Sequence, residues 1–242
     1  MVKEDLSEDQ LLPVLRQLLP VLMNILGDPS RHSPVTRSRA IAVFRQCLSA
    51  LYMVKDQHPQ IINEALDTVL PQWIEAFKVL IDQDPSMEVT KQDNWDALLV
   101  RLQVFKTLNN IQTIFNRLFR GSANVFLDAS LRHLQQLLPA FLQYYLDPNS
   151  TPPTSTEDED ISLPRLASSI IDFVSNIART ASARPWFEQP SHLEQLITVV
   201  FHWIQMTPED VCPSYHVHYA ELTSEIGRDL GQQCKRICCT RG

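Results

Sequence analysis

The sequence predicts an all-α protein built as an α-solenoid, a stack of antiparallel helix pairs. Three observations carry that reading. Every long segment repeats its apolar residues at three- and four-residue steps, the spacing of one face of an α-helix. A Leu-Pro pair recurs inside an apolar run as Leu19-Pro20, Leu70-Pro71 and Leu138-Pro139, so one helix type returns with another between its copies. Glycine is scarce, 5 of 242 residues, where average usage is about 7%. A stack of this kind is a binding scaffold, because repetition builds an extended surface.

The first helix is announced by Ser7-Glu8-Asp9-Gln10, a capping box with Leu6 and Leu11 as its hydrophobic staple. Leu11, Leu15, Leu18, Leu22 and Ile25 form its stripe, and Gly27-Asp28-Pro29 stops it. Ser33-Pro34 opens the second helix, with serine as N-cap and proline at the first helical position. Ile41, Phe44, Leu48 and Leu51 face inward there, Arg37, Arg39 and Arg45 turn to other faces, and Cys47 reads as a small core residue.

His58-Pro59 starts the third helix, whose stretch IINEALDTVLPQWIEAFKVLI at residues 61–81 is the one the chain is organised around. Ile62, Leu66, Val69, Trp73, Phe77 and Leu80 mark its main face, and the added Ile61, Ala65, Leu70, Ile74 and Ile81 call for cover on two sides. Pro71 bends it. Residues 82–93 read as a polar connection. Asp93 or Asn94 then caps a long helix from Trp95 to about Phe119, with Leu98, Leu102, Phe105, Leu108, Ile111 and Phe115 inward. Gly121 ends it and Ser122 caps the next, which carries Phe126, Leu127, Leu131, Leu134, Leu138, Phe141 and Tyr145.

Residues 147–162, DPNSTPPTSTEDEDIS, break the pattern and predict an exposed acidic loop. Thr154, Ser155 and Thr156 precede Glu157, Asp158, Glu159 and Asp160, a context that suits an acidophilic kinase. Two further helices follow, one on Leu166, Ile170, Phe173, Val174 and Ile177. The other opens on Ser191-His192-Leu193-Glu194 as a second capping box, with Leu196, Ile197, Val200, Trp203 and Ile204 inward and His192 and His202 exposed. The domain reading is HEAT/armadillo-like helical repeats over residues 1–210 with the acidic loop at 147–162, then an atypical Cys-rich tail at 211–242, weakly packed and dispensable.

The function classes narrow by composition. The formal charge is −7 with no block of Lys or Arg, which gives direct nucleic-acid binding little electrostatic support and favours basic protein partners. No apolar run reaches the roughly 20 residues of a membrane span, and the opening MVKEDLSEDQ has no signal-peptide core. The tail groups Cys212, His216, His218, Cys234, Cys238 and Cys239. No C-x-x-C pair is present, so neither a metal site nor a cofactor is expected. No P-loop, nucleophile elbow, zincin motif or opposed carboxylate pair occurs, and the chain is read as a binding protein, not an enzyme.

Four blocks then carry a resemblance: LLPVLMNILGDPS, TVLPQWIEAFKVLI, SARPWFEQ and LITVVFHWIQMTPED. Over approximately residues 11–210 the chain resembles the importin-β superfamily of karyopherins, most nearly fungal members of the importin-9 type, as a truncated fragment. The resemblance implies HEAT repeats and nuclear import of protein cargo. It further implies release by the Ran GTPase, contact with FG nucleoporins, basic cargo such as core histones, and a life in cytoplasm and nucleus. The acidic residues Glu157, Asp158, Glu159 and Asp160 are the candidate cargo contacts. The alternative is a HEAT-repeat scaffold outside transport.

Overall fold

A computed structural model of the chain describes residues 8–54, 59–90, 94–115, 121–147, 149–153 and 161–204. All regular structure among them is helical. Seven long helices and two one-turn helices follow in order: α1 (Glu8–Gly27), α2 (Pro34–Val54), α3 (Pro59–Asp82), α4 (Ser86–Val89), α5 (Asp96–Ile114), α6 (Ala123–Phe141), α7 (Leu163–Ala178), α8 (Arg184–Phe187) and α9 (Pro190–Trp203). A π-helical turn, Leu142–Leu146, prolongs α6.

The helices form two layers. One contains α2, α5 and α7, packed side by side in that order; the other contains α1, α3 and α6, with α9 added against α6. Chain order alternates between layers, so α1 pairs with α2, α3 with α5 and α6 with α7. This is the solenoid arrangement that the apolar period predicts, with each pair burying its faces against its neighbours.

These three Leu-Pro pairs fall in the layer of α1, α3 and α6, while another, Leu163-Pro164, opens α7 in the other layer. Leu19 and Leu70 are buried and Leu138 half-buried, while Pro20, Pro71 and Pro139 are exposed. Each helix runs on through its proline. A proline deprives the carbonyl four residues earlier of its partner. Those residues are Arg16, Asp67 and Gln135, all exposed, so each orphaned carbonyl lies on the wet side, where water satisfies it cheaply.

The most enclosed helix is α5, not α3. Val79 of α3 is exposed, whereas α5 buries residues around its whole circumference, Arg101 and Thr107 included. The reason is position: α5 is the middle member of its layer, between α2 and α7, with the other layer beneath.

Several local expectations need correction. Helix α5 is helical only to Ile114; Phe115 leaves helical geometry at φ −133°, ψ 48° and turns its ring edge-on to Tyr52, 6.5 Å away. Phe115 is therefore half-buried, packed against the edge of the core. The connection after α3 is not wholly irregular: it holds α4, whose first N–H is capped by Asp84, with Ser86 N donating to its carboxylate at 2.8 Å. Ser122 occupies the N-cap of α6 without a side-chain bond. The second capping box does not form, because α9 begins at Pro190 with Gln189 as N-cap, which leaves Ser191 inside the first turn. Proline is preorganised for that first position and needs no acceptor. His192 and His202 are half-buried, and His192 stacks on Trp186 with centroids 4.6 Å apart.

Other expectations hold. Ser33 caps α2, accepting from Thr36 N at 3.2 Å. Asn94 accepts from Asp96 N at 3.2 Å before α5. The capping box at Ser7, His58, Asp93, the acidic run Glu157, Asp158, Glu159 and Asp160, and the whole 211–242 tail lie outside the described residues.

Candidate protein-interaction surface

The layer of α2, α5 and α7 carries a cleft of about 510 Å³. Arg45 of α2, Lys106 of α5 and Arg165 of α7 bring positive charge to it, and Asp172 of α7 brings one carboxylate. Asn109 and Asn110, successive residues of α5, tie the cleft together. Asn110 Nδ2 donates to Ser49 Oγ on α2 at 3.3 Å. Asn109 Nδ2 donates to Ser169 O on α7 at 3.4 Å, and its Oδ1 accepts from Asn176 Nδ2 at 3.0 Å. The cleft therefore brings three cationic side chains and one carboxylate together from three helices. Sequence reasoning missed it because its residues come from three helices up to 127 positions apart, from Arg45 to Asp172, and each reads singly as a solvated charge.

A second surface lies where α9 meets α7. Ile197, Phe201 and Ile204 are exposed, the last two at 64% and 62%, above an apolar hollow of about 300 Å³ that Ile171, Val174 and Val200 complete. Surfaces of this character mark contact sites. The sequence placed Ile197 and Ile204 inward; among the described residues nothing packs over them.

One constellation has the residue types of an active site. Arg101 Nε and Nη2 form a fork to the two carboxylate oxygens of Glu88, each at 2.8 Å. Its Nη1 donates to Leu80 O at 3.2 Å, Gln83 O at 2.9 Å and His133 Nε2 at 2.8 Å. The His133 ring also meets Ala129 O through Nδ1 at 2.8 Å. A guanidinium only donates, so Nε2 must be the acceptor and Nδ1 carries the proton. Arg101 is 2% exposed and His133 0%. No substrate reaches either group, and the cluster works as a structural joint: Arg101 fastens the last carbonyls of α3, the carboxylate of α4 and the ring of α6 to α5. Arg37 does the same one pair earlier, its Nε donating to Leu26 O at the end of α1 at 2.9 Å. An arginine on the second helix of a pair thus closes the C-terminus of the first.

Burial, reinforced by the neighbouring Arg101 charge, holds His133 down to about pKa 3, with Arg132 adding to that and the Ala129 bond and Asp84 opposing it. An unfolded histidine titrates near 6.5. Below that pH the unfolded chain binds a proton that the folded chain refuses, so the contribution is intact above pH 6.5 and is lost progressively towards pH 3. Between pH 6.5 and 5 the loss is roughly 2 kcal/mol. Thermal unfolding of wild type and His133→Gln at pH 7 and 5 checks this: the variant should show a smaller fall on acidification, and equal falls would rule out the histidine as the source.

Among the described residues, no cluster of His, Cys, Asp and Glu has the makings of a metal site, and no helix is long and apolar enough to cross a membrane.

No protein-family model matches the chain. It is 20% identical over 147 residues to "Importin subunit beta-5" of Schizosaccharomyces pombe, a match covering 59% of this chain and 15% of that protein. The chain therefore spans a small part of the length of the relative it matches. Together with the all-α repeat architecture, the match supports an importin-β-like relationship.

Proposed function

We propose that this chain is a segment of a karyopherin-type nuclear transport receptor of the importin-9 kind, which holds protein partners on a helical scaffold and performs no catalysis. The observation that supports it most is the similarity to an importin subunit in a chain made of stacked helix pairs. On this reading the full-length protein moves between cytoplasm and nucleus, answers to the Ran GTPase and touches FG nucleoporins. Its cargo is a basic nuclear protein such as a core histone, met by Glu157, Asp158, Glu159 and Asp160.

The loop assignment rests on charge. The protein carries −7 overall, and attraction between opposite fields raises encounter rate more than final affinity. A core histone dimer should therefore associate quickly at low salt and more slowly as the screening length shortens to about 8 Å at physiological ionic strength. Neutralising the four acidic residues as Gln and Asn should lower the association rate roughly three- to tenfold and flatten its salt dependence. Stopped-flow fluorescence reads both quantities. An unchanged rate removes the loop from the contact. Absence of histone binding at low salt removes the cargo reading. Binding to GTP-loaded Ran or FG peptides separates a transport receptor from a scaffold of another kind.

A further inference from the structure

We propose that residues 215–238 of this chain fold back as an amphipathic helix onto the apolar hollow between α7 and α9, as the second helix of the fourth pair, in place of the dispensable tail that composition suggests. The inference stands apart from the transport reading.

Four observations point to this occupant. The first is position. Chain order alternates between the two layers, and α9 lies in the layer of α1, α3 and α6. The element after it therefore belongs beside α7, in the other layer. The hollow lies at that place. Asn176 of α7 donates to Asn109 Oδ1 of α5 at 3.0 Å, which fixes the side of α7 that faces α5. Ile171 and Val174 lie roughly 140° and 160° round the helix from Asn176, and they line the hollow with Leu196, Ile197 and Phe201 of α9.

The second is chemistry. Apart from Ser175 the walls of the hollow are apolar, and Ile197, Phe201 and Ile204 stand exposed at it. Such a surface takes an aliphatic stripe and offers a charged peptide nothing to pair with. The third is sequence. Tyr219, Leu222, Ile226, Leu230, Cys234 and Ile237 recur at steps of three and four, one face of a helix. Glu221, Ser224, Arg228 and Lys235 fall on the opposite face. From Leu222 to Cys234 the stripe runs about 18 Å, enough to cover α9 from Ile197 to Ile204, a rise of about 10 Å. Gly227 and Gly231 weaken this helix in isolation, so it needs a surface to form on.

The fourth is reach. Ile204, the last described residue, is part of the hollow's own wall, and residues 205–214 can extend to about 35 Å. The tail thus starts on the surface it covers. A tether of that length holds its stripe at a roughly millimolar effective concentration. A second copy of the chain, or a free partner helix, has to compete with that.

The test is hydrogen exchange on the full chain, read by mass spectrometry, with molecular mass followed by analytical ultracentrifugation. Wild type should exchange slowly over residues 219–237. Phe201→Glu with Ile204→Glu places two charges at the hollow. Both side chains are exposed, at 64% and 62%, so the stack should keep its helices by circular dichroism. Protection over 219–237 should fall roughly tenfold or more. In reverse, Ile226→Glu with Leu230→Glu should raise exchange over residues 196–204 by a comparable factor. Ser224→Glu with Arg228→Glu, on the polar face, should leave it as in wild type. If the α9 variant loses the helices of the stack, the tail variants decide alone. Exchange over 219–237 at the unfolded-chain rate in wild type overturns the proposal, as does protection that survives Phe201→Glu with Ile204→Glu. A concentration-dependent mass that this α9 variant abolishes, with the tail unprotected, also overturns it, because the hollow would then belong to a second copy.

Discussion

Arg101→Leu should lower the unfolding free energy by about 3–5 kcal/mol, the usual consequence of removing one partner from a buried ion pair. The substitution deletes five donor contacts at once. Glu88 loses both of its guanidinium bonds, and the carbonyls of Leu80 and Gln83 and the Nε2 of His133 lose their donor from Nη1. What costs most is the set of acceptors left without partners, not the lost attraction itself. Two companion variants separate these contributions. Arg101→Lys keeps the charge but cannot present a planar fork, so it should recover less than half of the loss. Arg101→Leu combined with Glu88→Leu and His133→Leu removes the side-chain acceptors along with the donor, leaving only the Leu80 and Gln83 carbonyls without it, and should be less damaging than Arg101→Leu alone. A urea titration at constant slope reads all three. If Arg101→Leu costs less than about 1 kcal/mol, the joint is ornamental; if the triple variant is the worst of the set, the orphan account is wrong.

What the sequence revealed and what it hid divide along one physical line. Apolar spacing is a one-dimensional property, so the seven long helices and the faces of residues such as Ile41, Phe44, Trp73, Phe105 and Phe126 could be read directly. A Leu-Pro pair deep inside an apolar run marked α1, α3 and α6, which share a layer, whereas the Leu163-Pro164 pair only opens α7. Residues whose meaning depends on another helix were opaque. Arg101 sits in α5 between Val100 and Leu102, and nothing local says that its partners lie on α3, α4 and α6. His133 is silent for the same reason, and Arg37 looked like one more surface cation until its bond to Leu26 O placed it. The short helices α4 and α8 span four residues each, too few for a period to show. At α9 the capping-box signal at Ser191 misled, because Pro190 occupies the first helical position and starts the helix one residue earlier. The cationic cleft needed three helices in place before it existed.

The joints between pairs share a device, a large ring or guanidinium from one helix set against the next. Trp203 of α9 donates its indole N–H to Leu134 O of α6 at 2.9 Å. Trp186 of α8 donates to Asp128 of α6 at 2.5 Å. Trp95, just before α5, meets Tyr144 edge-on at 5.3 Å. Indole suits this work because it buries a wide apolar face and carries a single donor that one carbonyl or carboxylate satisfies. In a solenoid each pair touches only its neighbours, so stability depends on these joints as much as on the pairs themselves.

Trp73→Ala should have the second of the two large effects, about 3–5 kcal/mol, because it empties the joint between the first and second pairs. Trp73 of α3 lies flat on Phe44 of α2, with centroids 3.7 Å apart and planes 2° from parallel. Phe77, one turn later on α3, meets both rings edge-on at 5.7 and 6.4 Å. All three are at most 1% exposed, so water gains no access until the joint opens. Trp73→Phe keeps a ring on Phe44 and leaves a smaller void, so it should cost roughly 1–2 kcal/mol. The stacking contribution is isolated by a double-mutant cycle with Phe44→Ala, which should return a coupling of about 0.5–1.5 kcal/mol. The damage should also be local. Hydrogen exchange in Trp73→Ala should rise first in α1, α2 and α3, while α6 and α7, packed on each other away from the void, keep their protection. A uniform rise across all helices would mean that the stack unfolds as one unit. A total loss below about 1 kcal/mol would mean that the central rings of α3 carry little of the core.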